Sequence, residues 1–280
     1  MPPKSVLITG CSDGGLGSAL ALSFAKHANM HIFATARDIS KMSALADKSN
    51  ITLLPLDVTN AQSIKSAVAT VSSATGGKLD YLINNAGRNQ YMPILDEDLD
   101  VARQVFETNV WGALAVIQGF RDLVVAARGV VVSVGSVGGH CTVPYMGVYG
   151  ASKRSLEIIT ETLRIELAPF GVRVATLVTG AVDSQGKTHC DGLTLPEDSL
   201  YKSIEQDVIA RATWNDGVPR ESASKWADNV VGKLIGGASG LVWAGSHAGT
   251  MWLFEKVLPS WIFDKLMTMG QGLDKLEQKN

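Results

Sequence analysis

Six short runs dense in Val, Ile and Leu recur along the chain, each separated from the next by a longer stretch of helical pattern. They are Ser5–Thr9, His31–Thr35, Thr52–Leu56, Tyr81–Asn84, Gly129–Val134 and Arg173–Val178. Short runs that are apolar at consecutive positions suit strands covered on both faces. Helical patterns fill the gaps, among them Ala61–Ser73, Asp98–Ala127 and Gly150–Leu167. This alternation points to an α/β fold, a doubly wound parallel sheet with helices on both faces. It continues past the midpoint without linker or repeat, so residues 1–280 read as one domain. Two regions break the rhythm. Residues 181–214 form a long connection with a short helical pattern around Asp198–Ala212, expected to be a substrate-loop insertion. Residues 251–280 are an aromatic-rich C-terminal segment interrupted by Pro259.

Such a sheet needs a large core, and 46% of the 280 residues are hydrophobic. The formal net charge of -2 implies no basic face, and no nucleic-acid partner is expected. Cys11, Cys141 and Cys190 lack metal-ligand spacing, so no metal is expected and a reducing compartment is. The start M-P-P-K-S runs directly into an apolar strand, and no uncharged apolar run reaches the ~18 residues of a membrane span. The expected location is the cytoplasm.

The first strand ends in T-G-C-S-D-G-G-L-G and a helix follows at once. Glycines there permit a tight turn and close approach of a pyrophosphate, and the helix N-terminus favours negative charge. Gly10, Ser12, Gly15, Leu16 and Gly17 are the candidate contacts. The turn has one residue more than the commonest form, which leaves open which glycine touches phosphate. Cys11, within the turn, reads as packing. The second strand ends A-T-A-R-D, with Ala36 where an acid would grip a ribose 2′-hydroxyl. Arg37 suits a 2′-phosphate, hence NADP(H). Asp38 is the competing reading, an acid for the ribose of NAD. Asp57 and Val58 follow the third strand and are placed at the adenine, with a helix N-cap as the other reading of Asp57. Asn85, Ala86 and Gly87 end the fourth strand where the nucleotide should lie.

The run Y-G-A-S-K sets Tyr149 and Lys153 four apart, one above the other on a helix face. A phenol holds its proton to a pKa of about 10 in water. A lysine charge at ~4 Å contributes ~4 kcal/mol at an effective dielectric near 20. That would lower the phenol by roughly three units, into the range of a useful acid.

The ordered set of Thr9–Gly17, Asn84–Gly87, Asn109, Ser136 and Tyr149–Lys153 resembles the short-chain dehydrogenase/reductase family over residues 4–250. Within it, G-C-S-D-G-G-L-G, A-T-A-R, L-V-T-G-A-V at Leu177–Val182, L-P-E-D-S-L-Y at Leu195–Tyr201 and L-P-S-W-I-F-D at Leu258–Asp264 resemble the fungal group similar to NADPH-dependent 1-acyldihydroxyacetone-phosphate reductase. The resemblance implies a Rossmann fold, NADP(H) and a catalytic set of Asn109, Ser136, Tyr149 and Lys153. Tyr149 would protonate the carbonyl oxygen, and Lys153 would lower its pKa and bind the nicotinamide ribose. Ser136 would hydrogen-bond the carbonyl, and Asn109 would hold a water in the proton relay. The family's usual Pro-Gly after strand six is here Thr179–Gly180, which with Val182 should contact the cofactor. The resemblance also implies a dimer or tetramer.

At the substrate end, Val143, Tyr145 and Met146, with Ser136 and Tyr149, are the candidate contacts. His140 reads as a solvated loop histidine. There is no evident arginine cluster for a substrate phosphate, and Lys187 and Lys202 are the isolated candidates. The expected activity is NADPH-dependent reduction of a ketone to a secondary alcohol on a lipid-like or secondary-metabolite substrate. Reduction of 1-acyldihydroxyacetone phosphate in lipid synthesis, a non-redox step on the same fold, and a non-catalytic nucleotide-binding regulator remain as alternatives. The aromatic tail has three readings: a lid or core, a peripheral membrane contact at endoplasmic reticulum or lipid droplets through Trp252, Phe254, Trp261, Ile262 and Phe263, and an oligomer contact.

Overall fold

Val6 and Ile8 of the first strand pack into one hydrophobic cluster and Leu7 into another, and all three are fully buried. A strand covered on both sides belongs in the middle of a sheet with helices above and below. In the computed structural model, which describes residues 3–276, that is its place. Residues 1–2 and 277–280 of the expected span lie outside the described residues.

The strands are β1 (Lys4–Ile8), β2 (Met30–Ala36), β3 (Ile51–Pro55), β4 (Tyr81–Asn84), β5 (Val130–Val134) and β6 (Arg173–Thr179), then the two-residue β7 (Val182–Asp183) and β8 (Glu221–Ser222), and β9 (Gly240–Ala244). All but β7 and β8 form one parallel sheet in the order β3-β2-β1-β4-β5-β6-β9; those two pair with each other. The chain winds outward from β1 in one direction and from β4 in the other. Between these two neighbours the sheet changes direction, and ligands bind beyond the strand ends at such a switch point.

The helices are α1 (Leu16–Ala25), α2 (Ala61–Thr75), α3 (Leu99–Phe106), α4 (Ala113–Ala127), α5 (Gly147–Leu167), α6 (Glu205–Ala212), α7 (Ala223–Ile235), α8 (Ala248–Val257) and α9 (Ser260–Thr268). On one face, Leu20 and Phe24 of α1 and Trp226 and Val230 of α7 cover Val6, Ile32 and Ile83. On the other, Ile64 and Val71 of α2 and Val116 and Phe120 of α4 cover Leu7, Phe33 and Leu82. Each fully buried side chain of this size stabilises the fold by roughly 1.5–3 kcal/mol. Asn60 starts α2 by accepting the Ser63 N–H, and Gly76 ends it in the left-handed region.

The expected helix Asp98–Ala127 is continuous from Leu99 but passes through a π turn at Glu107–Gly112. By length and composition, Leu99–Ala127 is long and apolar enough to cross a membrane. Here Val105, Val110, Val116, Phe120 and Val124 are buried within the fold, as in a core helix.

A third cluster forms outside the sheet from Tyr91, Tyr145, Cys190, Leu195, Ile204 and Val208. It supplies the 181–214 connection with a core of its own, and Leu273 and Leu276 of the tail pack against it. The tail thus returns to the body, held by hydrogen bonds from Tyr145 Oη to the Gln271 carbonyl (2.7 Å) and from Thr142 to Asp264 (3.0 Å) and by a Lys275–Asp207 ion pair (2.7 Å). Phe263 is buried, whereas Trp252 and Trp261 are exposed.

Candidate active site

Beyond the carboxyl ends of β1 and β4 lies a cleft of about 1180 Å³. Its floor is laced by hydrogen bonds. Thr9 Oγ1 accepts the N–H groups of Asn85 (3.0 Å) and Ala86 (2.9 Å), and the Asn85 amide donates back to the carbonyls of Thr9 (2.8 Å) and Gly10 (2.9 Å). Gly10 has φ +73°, and a Cβ there would lie 2.8 Å from Ala86 Cα, so only glycine fits. Gly10, Ser12, Gly15 and Leu16 face the cleft. Gly17 does not: its Cβ would lie 2.3 Å from the Gly10 carbonyl oxygen, so its glycine serves close packing of α1 behind the turn. Asp13 fixes the turn from outside by accepting the N–H groups of Ser43 and Ala44. Helix α1 starts with no side-chain cap and no acid in its first turn, which leaves N–H groups and the positive end of its dipole for an anion.

The adenosine end separates the two readings of the second strand's end. Asp38 accepts from Ser40 N–H (3.0 Å) and Oγ (2.7 Å), capping its own turn. Arg37 is exposed and lines the cleft. Arg88 and His189 stand nearby. Burial lowers the His189 pKa, and the charges of Arg88 and Arg37 lower it further. This positive field suits a 2′-phosphate rather than a bare ribose hydroxyl. Asp57 accepts from Thr59 and does not cap α2, a role taken by Asn60; Asp57 and Val58 line the cleft with Asn85, Ala86 and Gly87. Cys11 is fully buried, its thiol pushed up to about 12 by burial, and it packs rather than reacts.

At the opposite end, Ser136, Tyr149 and Lys153 converge. Residues Ser152, Lys153, Leu156, Glu157 and Thr160 form the buried stripe of α5, which carries Lys153 to the carboxyl end of β5. Lys153 donates to the Val134 carbonyl (2.9 Å), and its Nζ stands 5.8 Å from the Tyr149 ring centroid. The expected lowering of the phenol by lysine alone does not hold in this arrangement. Burial raises the Tyr149 pKa, a hydrogen bond with Ser136 counters it, and burial brings Lys153 down to about 8. Low dielectric disfavours both charged forms here.

Asn109 is fully buried on the π turn and does not line the cleft. Its Oδ1 accepts Arg88 N–H (2.7 Å), and its Nδ2 donates to the Arg88 carbonyl (3.0 Å) and Ser152 Oγ (3.0 Å). Ser152 in turn donates to the Tyr149 carbonyl (2.7 Å). The side chain expected to hold a water is therefore committed to the chain, bracing the Gly87–Arg88 segment against the first turn of α5.

Thr179, Gly180, Val182, Val143 and Met146 line the cleft as expected. Tyr145 does not. Its φ of +67° turns the ring into the third cluster, and its hydroxyl is taken by Gln271. His140 is also not solvated. Its Nε2 lies 2.6 Å from Glu157, its Nδ1 3.1 Å from Glu255 on α8, and its ring packs on Trp243 at 4.7 Å. Burial alone would lower its pKa, but the two carboxylates outweigh burial and raise it. Lys187 and Lys202 pair with Asp183, Glu197 and Glu205 and lie outside the cleft. The lining that sequence reasoning missed includes Tyr91, Arg88, His189, Arg211, Trp214 and Arg220. Among the described residues no cluster of three or more His, Cys, Asp or Glu side chains could hold a metal ion.

The family model described as "short chain dehydrogenase" matches residues 4–191. The chain is similar to the short-chain dehydrogenase PC-15 of Penicillium crustosum, 44% identical over 248 residues, covering 89% of this chain and 90% of that protein. It is also similar to the NADPH-dependent 1-acyldihydroxyacetone phosphate reductase of Schizosaccharomyces pombe, 38% identical over 210 residues, 74% of this chain and 70% of that one. Among solved structures, a short chain dehydrogenase from Burkholderia cenocepacia in complex with NADP matches with a TM-score of 0.76 at 24% identity, covering 95% and 98% of the two chains.

Proposed function

The chain belongs to the short-chain dehydrogenase family and is an NADP(H)-dependent oxidoreductase, and from that premise we propose that it reduces a ketone to a secondary alcohol. The observation that carries this reading is the convergence of Ser136, Tyr149 and Lys153 on one end of a cleft whose other end presents Arg37 and an uncapped helix N-terminus.

The nucleotide fits the residues present. The glycine turn approaches the segment after β4 so closely that side chains at Gly10 and Gly17 are excluded, α1 offers its N–H groups to a pyrophosphate, and Arg37 suits the 2′-phosphate. Asp57 and Val58 would hold the adenine, Lys153 the ribose beside the nicotinamide, and Thr179, Gly180 and Val182 the nicotinamide edge. The bound cofactor supplies a hydride to the carbonyl carbon.

The chain's own residues handle the oxygen. Tyr149 donates its phenolic proton to the carbonyl oxygen as negative charge grows there. Ser136 donates a hydrogen bond to the same oxygen, in the manner of an oxyanion donor. Lys153 places its ammonium behind the phenol and favours the phenolate left after transfer. Asn109 acts as a positioning residue, fixing Arg88 and Ser152 and through them the start of α5. Val143 and Met146 supply an apolar wall, which suits a lipid-like or secondary-metabolite ketone.

Tyr149→Phe tests the assignment. NADPH oxidation at 340 nm against a ketone panel should fall by at least ~100-fold, with NADPH affinity retained. Turnover persisting in the variant would remove Tyr149 from the acid role.

A further inference from the structure

Arg211 closes α6 and lines the cleft beside Tyr91, Trp214, Val218 and Arg220. Arg211 and Arg220 share one carboxylate, Asp216, but they are held differently. Arg220 is the more firmly held: it grips both oxygens of Asp216 through Nη1 and Nη2 (2.9 and 3.0 Å), its Nη1 also meets the carbonyls of Val218 (2.9 Å) and Trp214 (3.3 Å), and it stacks on the Trp214 ring at 5.0 Å. Arg211 gives only Nη1 to Asp216. Its Nε is buried with no acceptor among the described residues. Burial alone would raise the Asp216 pKa; the hydrogen bonds of Arg220 and Val218 and the two guanidinium charges outweigh it, so the carboxylate is ionised. Two guanidinium groups against one carboxylate leave this corner with one net positive charge.

Next to it, Tyr91 is buried, and no hydrogen bond to its hydroxyl is formed within the described residues. Burial pushes its pKa up to about 12, and the Arg211 charge pulls against that shift while the Tyr149 phenol adds to it. Tyr91 is thus within electrostatic reach of both Arg211 and Tyr149, and it stays a neutral donor. A buried guanidinium N–H without an acceptor carries the desolvation cost of an unmade bond. With Nε enclosed, a ligand in the cleft would meet the remaining terminal amino group and the positive charge of Arg211, which match an oxygen of a carboxylate or phosphate.

We infer that Arg211, with Tyr91 beside it, is an anion-binding subsite for the substrate, and that the ketone carries a carboxylate or phosphate set apart from the reacting carbonyl. This rests on the reductase reading and narrows its substrate class to an apolar body with an anionic end. Asp216 and Arg220 hold the Arg211 side chain in place.

The test measures kcat/KM with NADPH for aryl ketones bearing a carboxylate two to five methylenes from the carbonyl, each against its methyl ester. Keto phosphates, including dihydroxyacetone phosphate, form a parallel arm that separates the two kinds of anion. In the unaltered enzyme at least one anionic ketone should exceed its neutral partner by about 10- to 100-fold, expressed in KM. Arg211→Gln should bring that ratio to near one with ester turnover and NADPH affinity unchanged, and Arg211→Lys should retain part of it. No anionic preference at any length in the unaltered enzyme overturns the subsite, which holds even if Arg211→Gln fails to fold. Loss of NADPH affinity in the variant also overturns it, by giving Arg211 to the cofactor. Binding of the same acids to the NADP⁺ complex, read by tryptophan fluorescence, needs no turnover. Acids that bind through Arg211 but are not reduced count against the reductase reading alone; ketones reduced without anionic preference count against the subsite alone.

Discussion

Replacing Lys153 by Met should make the cofactor-free protein more stable at neutral pH, and the gain should shrink as pH rises. Lys153 is 6% exposed, and burial alone brings its pKa from 10.5 to about 8. That depression corresponds to roughly 3 kcal/mol. The sign follows from proton counts. Between pH 8 and 10.5 the unfolded chain keeps the lysine proton while the folded chain has released it, so stability rises with pH across this window. At pH 7 the folded protein bears ~3 kcal/mol for charging the buried amine, and at pH 10 only ~1 kcal/mol remains. Methionine carries no such charge, although it strands the Val134 carbonyl that Lys153 serves, a cost that does not vary with pH. The stability difference between variant and parent should therefore fall by ~2–3 kcal/mol from pH 7 to pH 10, about 5 °C in melting temperature for a chain of this size. Urea denaturation of both proteins without cofactor at the two pH values measures it. A difference that stays constant with pH would refute the buried, depressed lysine, whatever its sign at pH 7.

Two further outcomes follow from the same geometry. Arg37→Gln should weaken NADPH binding by about 10- to 100-fold through loss of a charge-assisted contact while leaving NADH nearly unchanged; equal loss for both nucleotides, measured by titration, would put Arg37 outside the 2′-phosphate site. The His140 pKa is raised by Glu157 and Glu255 against the effect of burial, so its contribution is fully present below about pH 6.5 and is lost as pH rises through the higher folded value. Glu255→Gln should accordingly lower the melting temperature more at pH 6 than at pH 9, and an equal loss at both would mean that His140 is not the titrating partner.

Strands buried on both faces announce themselves by short continuous apolar runs, which is why β4 lies at Tyr81–Asn84 as read and the other inner strands differ by a residue or so. Strand β9 escaped because it is an edge of five residues between glycines, with Leu241 exposed. The π turn escaped because one extra residue per turn does not disturb a helical pattern. The one local hint was Gly112, where a Cβ would meet Val58 Cγ2 at 2.9 Å. The glycine turn and the Tyr149–Lys153 pair were legible because their geometry is set by local spacing. The joining of Tyr145 to Gln271, of His140 to Glu255 and of Arg211 to Arg220 through Asp216 was not. The first two depend on how the tail returns, and the last on how a loop folds after α6 ends.

The tail's return also sets an order of events in synthesis. The glycine turn, β4, β5 and Lys153 all precede the 181–214 connection, so these parts of the cleft are translated well before residues 271–275. The third cluster is different, because Tyr145 reaches forward 126 residues to Gln271, and Asp207 reaches forward 68 to Lys275. A nascent chain thus carries the glycine turn and Lys153 outside the ribosome while the third cluster still waits for its clasp by residues 271–275.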